Sequence, residues 1–443
     1  MRRPVLLACV VFAAALTSSL LACTDDPSAT ITLTLGEELD AMSRNPAPNT
    51  LVVELLDVDG KPTEIARTGL PTDELSLGSR ERTEVRALRV TAVDGAGKAL
   101  LKGESLYLQF GALENASSPL EVFLQRAGEL ARMPRGPGSF DAPLLGVTVA
   151  RYVVATSGTS LLLYDLLLLK PITGLPAFTR PAKSMVTFGT AALVIDEQGA
   201  STVDLSTGAS QELVAPAGGT FAEIAGGNTV VLPDGSAFVV GGTRATGGPS
   251  SRVLSITKEG AVAFVTLATP REGACAAWVE GRGLLVVGGS AIGPGAEVIA
   301  PGTVQGAGLA YAPDAVKGCG ASTLDASHVL VAGGVGSPVD VAGSAPPRVL
   351  DLACAAMCTP LVWPATPPLP LIRAEAITLA PDAVFLAGDD ATGTTRAFRA
   401  SAGALAEIAV KAPRRNARIV ALPVKGTIGL FGGGPASIEQ YRE

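Results

Sequence analysis

Phe238-Val239-Val240-Gly241-Gly242, Leu285-Val286-Val287-Gly288-Gly289, Leu330-Val331-Ala332-Gly333-Gly334 and Gly429-Leu430-Phe431-Gly432-Gly433 are four copies of one pattern, a short apolar strand closed by paired glycines. The first three copies recur at a period in the mid-forties. The fourth lies two periods further on, and the gap holds a degenerate copy, Val384-Phe385-Leu386-Ala387-Gly388-Asp389. A period of that length marks a four-stranded unit repeated around an axis, which is a β-propeller.

Each unit also has a first strand, a tight turn before the glycine-ended second strand, and a third strand. In the clearest unit Thr229-Val230-Val231-Leu232 is followed by Pro233-Asp234-Gly235-Ser236, whose Asp-Gly suits a hairpin, and Arg252-Val253-Leu254-Ser255-Ile256 is the third strand. Tyr152-Val153-Val154-Ala155 and Ala192-Leu193-Val194-Ile195 are two more second strands without the glycine pair, which makes seven in all. Seven blades are therefore expected, with six as the alternative. The last unit ends at Tyr441-Arg442-Glu443 with no room for a fourth strand, so a strand from about 140–150 is expected to complete it and remove an open edge.

The stretches Leu232-Pro233-Asp234-Gly235-Ser236-Ala237-Phe238-Val239-Val240-Gly241-Gly242 and Leu324-Asp325-Ala326-Ser327-His328-Val329-Leu330-Val331-Ala332-Gly333-Gly334 resemble the kelch family, in the form found in the central propeller of galactose-oxidase-like proteins. Val203-Asp204-Leu205-Ser206-Thr207-Gly208 is similar to that family's turn after the third strand. The resemblance covers about 140–443 and implies a fold, since propellers host many functions.

Upstream the character changes. Residues 1–22 read as an export signal, with Arg2 and Arg3 before an uncharged apolar stretch. Leu20-Leu21-Ala22-Cys23 resembles the lipobox of bacterial lipoproteins, which implies cleavage before Cys23, lipidation of Cys23, a tether over 23–30, and a place in the bacterial cell envelope, the outer membrane preferred. Acyl chains contribute about 0.8 kcal/mol per buried methylene, so several of them anchor a protein durably. Residues 31–127 carry more charge and no glycine-pair repeat. Runs such as Leu51–Leu56, Arg86–Val93 and Leu120–Leu124 alternate as half-buried strands do, and a small β-sandwich of immunoglobulin-like type fits them. Asp57-Val58-Asp59-Gly60 is a hairpin turn rather than a calcium loop, because further carboxylates are missing. Residues 128–139, rich in Pro and Gly, read as a linker to the propeller at 140–443.

The composition of 51 Gly, 32 Pro and 17% charged residues suits turns and short buried strands rather than helix or disorder. The formal charge is −7, and loss of Arg2 and Arg3 makes it more negative. No basic run offers nucleic acid or an anionic membrane an electrostatic footprint. Mean hydropathy is high at +0.38. The richest internal stretch, Leu161–Leu169, is too short to span a bilayer and contains Asp165; it reads as two buried strands.

Chemistry is sparse. Cys275, Cys319, Cys354 and Cys358 remain after the signal and Cys23 are set aside. Structural disulfides are expected, preferably Cys354–Cys358 and Cys275–Cys319, the latter joining first strands of neighbouring units; zinc would need all four sulfurs to converge from three units. His328 is the only histidine, which removes most metal and nucleophile schemes. The copper set of galactose-oxidase-like proteins needs two histidines, and no cofactor or metal is expected. Asp389 and Asp390, at the end of a second strand, are the one acid pair placed for acid–base work on a sugar. Arg271, Arg373, Arg414 and Arg415 stand at the start of first strands and are candidates for a rim that holds an anionic ligand. In kelch-like repeats an arginine near this position is also part of the repeat itself. The sequence therefore points to a non-catalytic recognition platform for an envelope protein or a glycan. Protein is preferred because only 4% of residues are aromatic. A carboxylate-dependent enzyme acting on polysaccharide is the alternative, and a purely structural spacer is a third reading.

Overall fold

The computed structural model describes residues 31–71, 83–109, 119–139, 144–242, 244, 247–336, 344–363, 369, 371–401 and 403–443. Cys23 and the segments assigned to the signal and tether lie outside the described residues. Among those that are described, seven four-stranded antiparallel sheets follow one another along the chain. Their first strands are Leu144–Val149, Ser184–Phe188, Asn228–Val231, Cys275–Val279, Gly320–Thr323, Arg373–Ala380 and Arg418–Ala421. Each first strand lies beside the next, and the seventh lies beside the first. The ring is closed, and the fold is a β-propeller.

Why the second strands read as unbroken apolar runs follows from this geometry. Side chains alternate between the two faces of a sheet, and here both faces are covered. Leu284 and Val286 pack against the third sheet, with Val240 and Val253. Leu285 and Val287 point the other way, to Val329 and Val331 of the fifth. One apolar cluster fills each of the seven gaps between neighbouring sheets. Burying a Val or Leu side chain completely contributes roughly 1.5–3 kcal/mol, so these gaps hold the ring together. Near the axis the first strands crowd and small residues are needed: a Cβ on Gly146 would sit 2.0 Å from the Phe431 ring.

The closing strand is not the expected one. Leu144–Val149 opens the first sheet, whereas Leu130–Arg132, inside the stretch read as a linker, pairs with Glu439–Arg442 and completes the seventh. Leu130 is fully buried among Phe385, Ile428 and Tyr441, and Ala131 faces the opposite gap. Three residues followed by Met133-Pro134 leave too little alternation for the sequence to declare a strand. The Leu161–Leu169 run also differs from expectation: Ser160–Asp165 is a strand, but Leu166–Leu169 is a turn with Leu168 exposed, and Asp165 Oδ1 accepts its amides from Leu167 and Leu168.

Ahead of the ring, Thr50–Leu56, Pro62–Gly69, Val85–Val93, Ala99–Glu104 and Gln125–Arg126 form one sheet, with Leu108–Gln109 added beside Val85–Val93. Ile31–Thr34 and Leu120–Phe123 form a parallel pair over its apolar face. This is a two-layered sandwich, but its strands are not shared out as in an immunoglobulin domain: nine-residue Val85–Val93 bonds both hairpin partners, so both hairpins stay in one layer. Asp57 makes the expected turn, accepting the amides of Asp59 and Lys61 at 3.0 and 2.8 Å.

The sandwich is fastened to the seventh sheet. Arg442 donates to Glu104 at 2.7 Å, both nearly buried. Gln125 donates to the Gln440 carbonyl at 3.0 Å, and Arg132 of the closing strand is held by Glu38 at 2.8 Å. Lys102 donates to the carbonyl of Glu443, the last residue, at 2.9 Å. The two ends of the ring thus meet under the sandwich.

Candidate functional site: the glycine-bearing face of the ring

Every second strand ends, and every first strand begins, on the same face of the ring. The glycines belong to that junction. Gly288 and Gly289 have φ of +77° and +72°, and a Cβ on either would lie 2.5 Å from the Val316 carbonyl oxygen or 2.6 Å from that of Glu272. Only glycine combines that backbone with so close an approach. Backbone bonds then run from sheet to sheet around the axis: Gly273 N–H to the Gly241 carbonyl (3.0 Å), Gly318 to Gly273 (2.9 Å) and Ala374 to Gly318 (2.8 Å).

A second belt lies just inside. The leading residues of the second, third and fourth sheets' first strands, Ser184, Asn228 and Cys275, reach toward the following sheet. Ser184 Oγ donates to the Gly227 carbonyl at 3.2 Å, and Asn228 donates to that of Ala274 at 3.1 Å. Cys275 forms its disulfide with Cys319 across a Cα–Cα distance of 5.4 Å. Glu375, two residues into its strand, accepts from Ile419 N–H at 2.9 Å and pairs with Arg418. Burial works to raise the Glu375 carboxyl, but Arg418 and Arg373 hold it below its usual range. The disulfide is thus the covalent member of a recurring staple. Cys354–Cys358 is also bridged, over 5.9 Å between Cα atoms.

The arginines have a different task from ligand binding. Arg271 is 0% exposed; it pairs with fully buried Glu297 at 2.9 Å and donates to the carbonyls of Gly288 and Pro294 at 2.7 and 2.6 Å. Glu297 also accepts Ala268 and Thr269 amides. Arg414 repeats this with Glu439 at 2.9 Å, Gly432 at 2.7 Å and Ser437 at 2.8 Å, and burial pushes its guanidinium below the usual arginine range. Glu297 and Glu439 occupy one position in the repeat, opposite Val286 and Leu430. At that position the fifth sheet has Arg348, paired with Asp314, and the third and sixth have Leu254 and Phe398, packed in the clusters that hold Ile224 and Leu371. Arg271 and Arg414 are therefore struts within the repeat, and a rim of four ligand-holding arginines does not exist. Arg373 is likewise engaged, with Asp389 at 2.7 Å and the Ala417 carbonyl at 2.7 Å. Of the four, only Arg415 presents its side chain to solvent with no ion pair among the described residues.

The acid pair is also spent. Asp389 is 2% exposed and takes, besides Arg373, the Thr395 hydroxyl at 2.8 Å and the Asn416 amide at 2.9 Å. It stands where other sheets have the second glycine and replaces a backbone acceptor. Asp390 caps its own turn: despite partial burial, hydrogen bonds from Thr392 and Thr394 hold its carboxyl below the usual range. His328 opens the second strand His328–Ala332 on the opposite face, its Nδ1 2.8 Å from Asp325 of the preceding turn. Among the described residues no group of three His, Cys, Asp or Glu side chains is placed to hold a metal ion. A cleft between sandwich and ring, lined by Glu104, Glu121, Leu120 and Leu167, has ≈ 30 Å³ of space, enough for a few waters and too little for a sugar. Both acids there are already paired with arginine.

What this face does offer is surface. Its connections include 173–183, 214–227, 288–295 and 309–319, whereas the opposite face has turns such as 150–151, 189–190 and 381–382 together with the longer 300–306 and 352–360. Ile292 and Val335 are 68% and 43% exposed there, beside the Lys317–Glu272 pair at 2.6 Å. Among the described residues this face offers loops with apolar tips and the exposed Arg415 guanidinium as binding contacts.

No protein-family model matches the chain, and no curated protein sequence matches it. Among solved structures it is similar to "YCF48 bound to D1 peptide" (11% identity, 71% of this chain and 95% of that one, TM-score 0.44). It is also similar to the N-terminal domain of Nup159 (12%, 71% and 95%, 0.45) and to the Pan2 WD40 domain of Neurospora crassa (10%, 69% and 88%, 0.42). Likeness at this level says nothing of ligand or activity.

Proposed function

We propose that the chain is a lipid-anchored protein of the bacterial cell envelope whose kelch-like, seven-bladed propeller binds another envelope protein through the glycine-bearing face. Cleavage before Cys23 and lipidation there leave residues 23–30 as a tether, and the sandwich of 31–127 holds the ring away from the membrane, the outer membrane being preferred. The two disulfides accord with an oxidising compartment. The observation that carries the reading is the contrast between the faces: the connections 173–183, 214–227 and 309–319 and the exposed tip Ile292 lie on one, and turns of two to six residues predominate on the other, 300–306 and 352–360 being its longer connections. Recognition is preferred over hydrolysis because Asp389, Asp390, Glu104 and Glu121 are all engaged in structural bonds.

Crosslinking in intact native cells, followed by capture of the tagged chain and mass spectrometry, tests this. One dominant protein joined to the propeller supports the reading. Recovery of polysaccharide instead would replace protein with glycan, and recovery of the chain alone contradicts it. Fractionation of a Cys23→Ser variant tests the anchor separately, the expected result being release from the membrane.

A further inference from the structure

Four methionines follow the signal segment: Met42, Met133, Met185 and Met357. Met133 and Met185 are 1% and 2% exposed, and Met42 packs against the sandwich core. Met357 is 93% exposed. It lies in the connection 352–360 of the fifth sheet, inside the small ring closed by Cys354–Cys358, with a left-handed φ of 47°. The ring is anchored at both ends. Cys358 donates its amide to the Ala310 carbonyl at 2.9 Å and packs in the gap between the fourth and fifth sheets. Asp351 accepts the Tyr311 hydroxyl at its carbonyl and donates its amide to the same oxygen, both at 2.8 Å. The thioether is thus held outward on a fixed loop, and it makes no packing contribution there.

We propose that Met357 is an oxidant-reactive modification site. A two-electron oxidant of the peroxide or hypohalous-acid class transfers one oxygen atom to its sulfur. With hydrogen peroxide the sulfur lone pair attacks a peroxide oxygen, the O–O bond breaks, and methionine sulfoxide and water form. Sulfur is oxidised by two electrons and the peroxide is reduced by two. The neighbouring cysteines do not compete, because as a disulfide they offer no thiolate. Leu361 and Val362, on the outer strand that follows, are 60% and 78% exposed. Oxidation therefore puts a polar acceptor at the tip of an exposed apolar strip without entering any of the packed gaps. This connection lies on the face opposite the proposed binding loops, and the inference does not depend on that function.

The test is a time course of the folded, full-length mature protein in dilute hydrogen peroxide, read by peptide mass spectrometry. The peptide holding Met357 is expected to gain one oxygen, about 16 Da, at least about tenfold faster than those holding Met133 and Met185. Met357→Leu should abolish the fast gain and leave thermal unfolding unchanged. Oxidation of all four methionines at one rate, or a fast gain that persists in Met357→Leu, overturns the proposal.

Discussion

Replacing Glu297 with Leu leaves the Arg271 guanidinium charged in a site that is 0% exposed. Removing one partner of a buried ion pair costs about 3–5 kcal/mol. The same change strips acceptors from the Ala268 and Thr269 amides, which adds to the loss. The protein supplies its own control, since the third sheet fills the equivalent space with Ile224 and Leu254. Arg271→Ile combined with Glu297→Leu copies that pair and removes the stranded charge, so it should restore at least about 2 kcal/mol of what the single change loses. Urea unfolding, followed through Trp278 and Trp363 and checked by circular dichroism for a coincident transition, gives both free energies. The reasoning fails if Glu297→Leu costs under about 1 kcal/mol, or if the double variant loses the sum of the two singles.

Other outcomes follow from the same contacts. Cys275→Ser with Cys319→Ser opens a loop of sequence separation 44 and should cost about 4 kcal/mol by chain entropy, against about 2 kcal/mol for opening Cys354–Cys358; denaturant titration separates them. Ala131→Pro removes a donor from the closing strand and should cost about 1–3 kcal/mol, visible as a lowered unfolding midpoint, whereas Arg415→Glu should leave that midpoint unchanged and weaken capture of a partner. Asp325, its carboxyl drawn down to about 2 by the Ser327 amide first and then by His328, adds stability that is complete above its unfolded value near 3.9 and is lost as pH falls toward 2. Asp325→Asn should therefore flatten the acid limb of the stability curve in that window, by a small amount because the group is exposed.

How much of this was legible in the sequence depends on how local the signal is. The glycine pairs carried the fold because each sits where a Cβ would strike a carbonyl, so the backbone demands the residue and the period shows. The disulfide pairs were legible for the same reason, Cys275 and Cys319 being one repeat apart. Leu130–Arg132 was not, since its strand character comes from Glu439–Arg442, three hundred residues away, rather than from its own pattern. The arginines misled as a ligand rim because Arg271 and Arg414 look alike from outside and inside. Only the partners Glu297 and Glu439, each following its arginine at a similar interval, carried the signal of a buried strut. Asp389 misled likewise, since a carboxylate standing in for a glycine's backbone contact reads as an available acid.

The proposed binding uses the glycine-bearing face. A photoreactive amino acid placed singly at Ile292, at Arg415, or at Lys258 on the opposite face, followed by irradiation of native cells, tests it most directly. The same protein adduct from positions 292 and 415, with none from 258, is the predicted result. An adduct from 258 alone, or from none of the three, would contradict it.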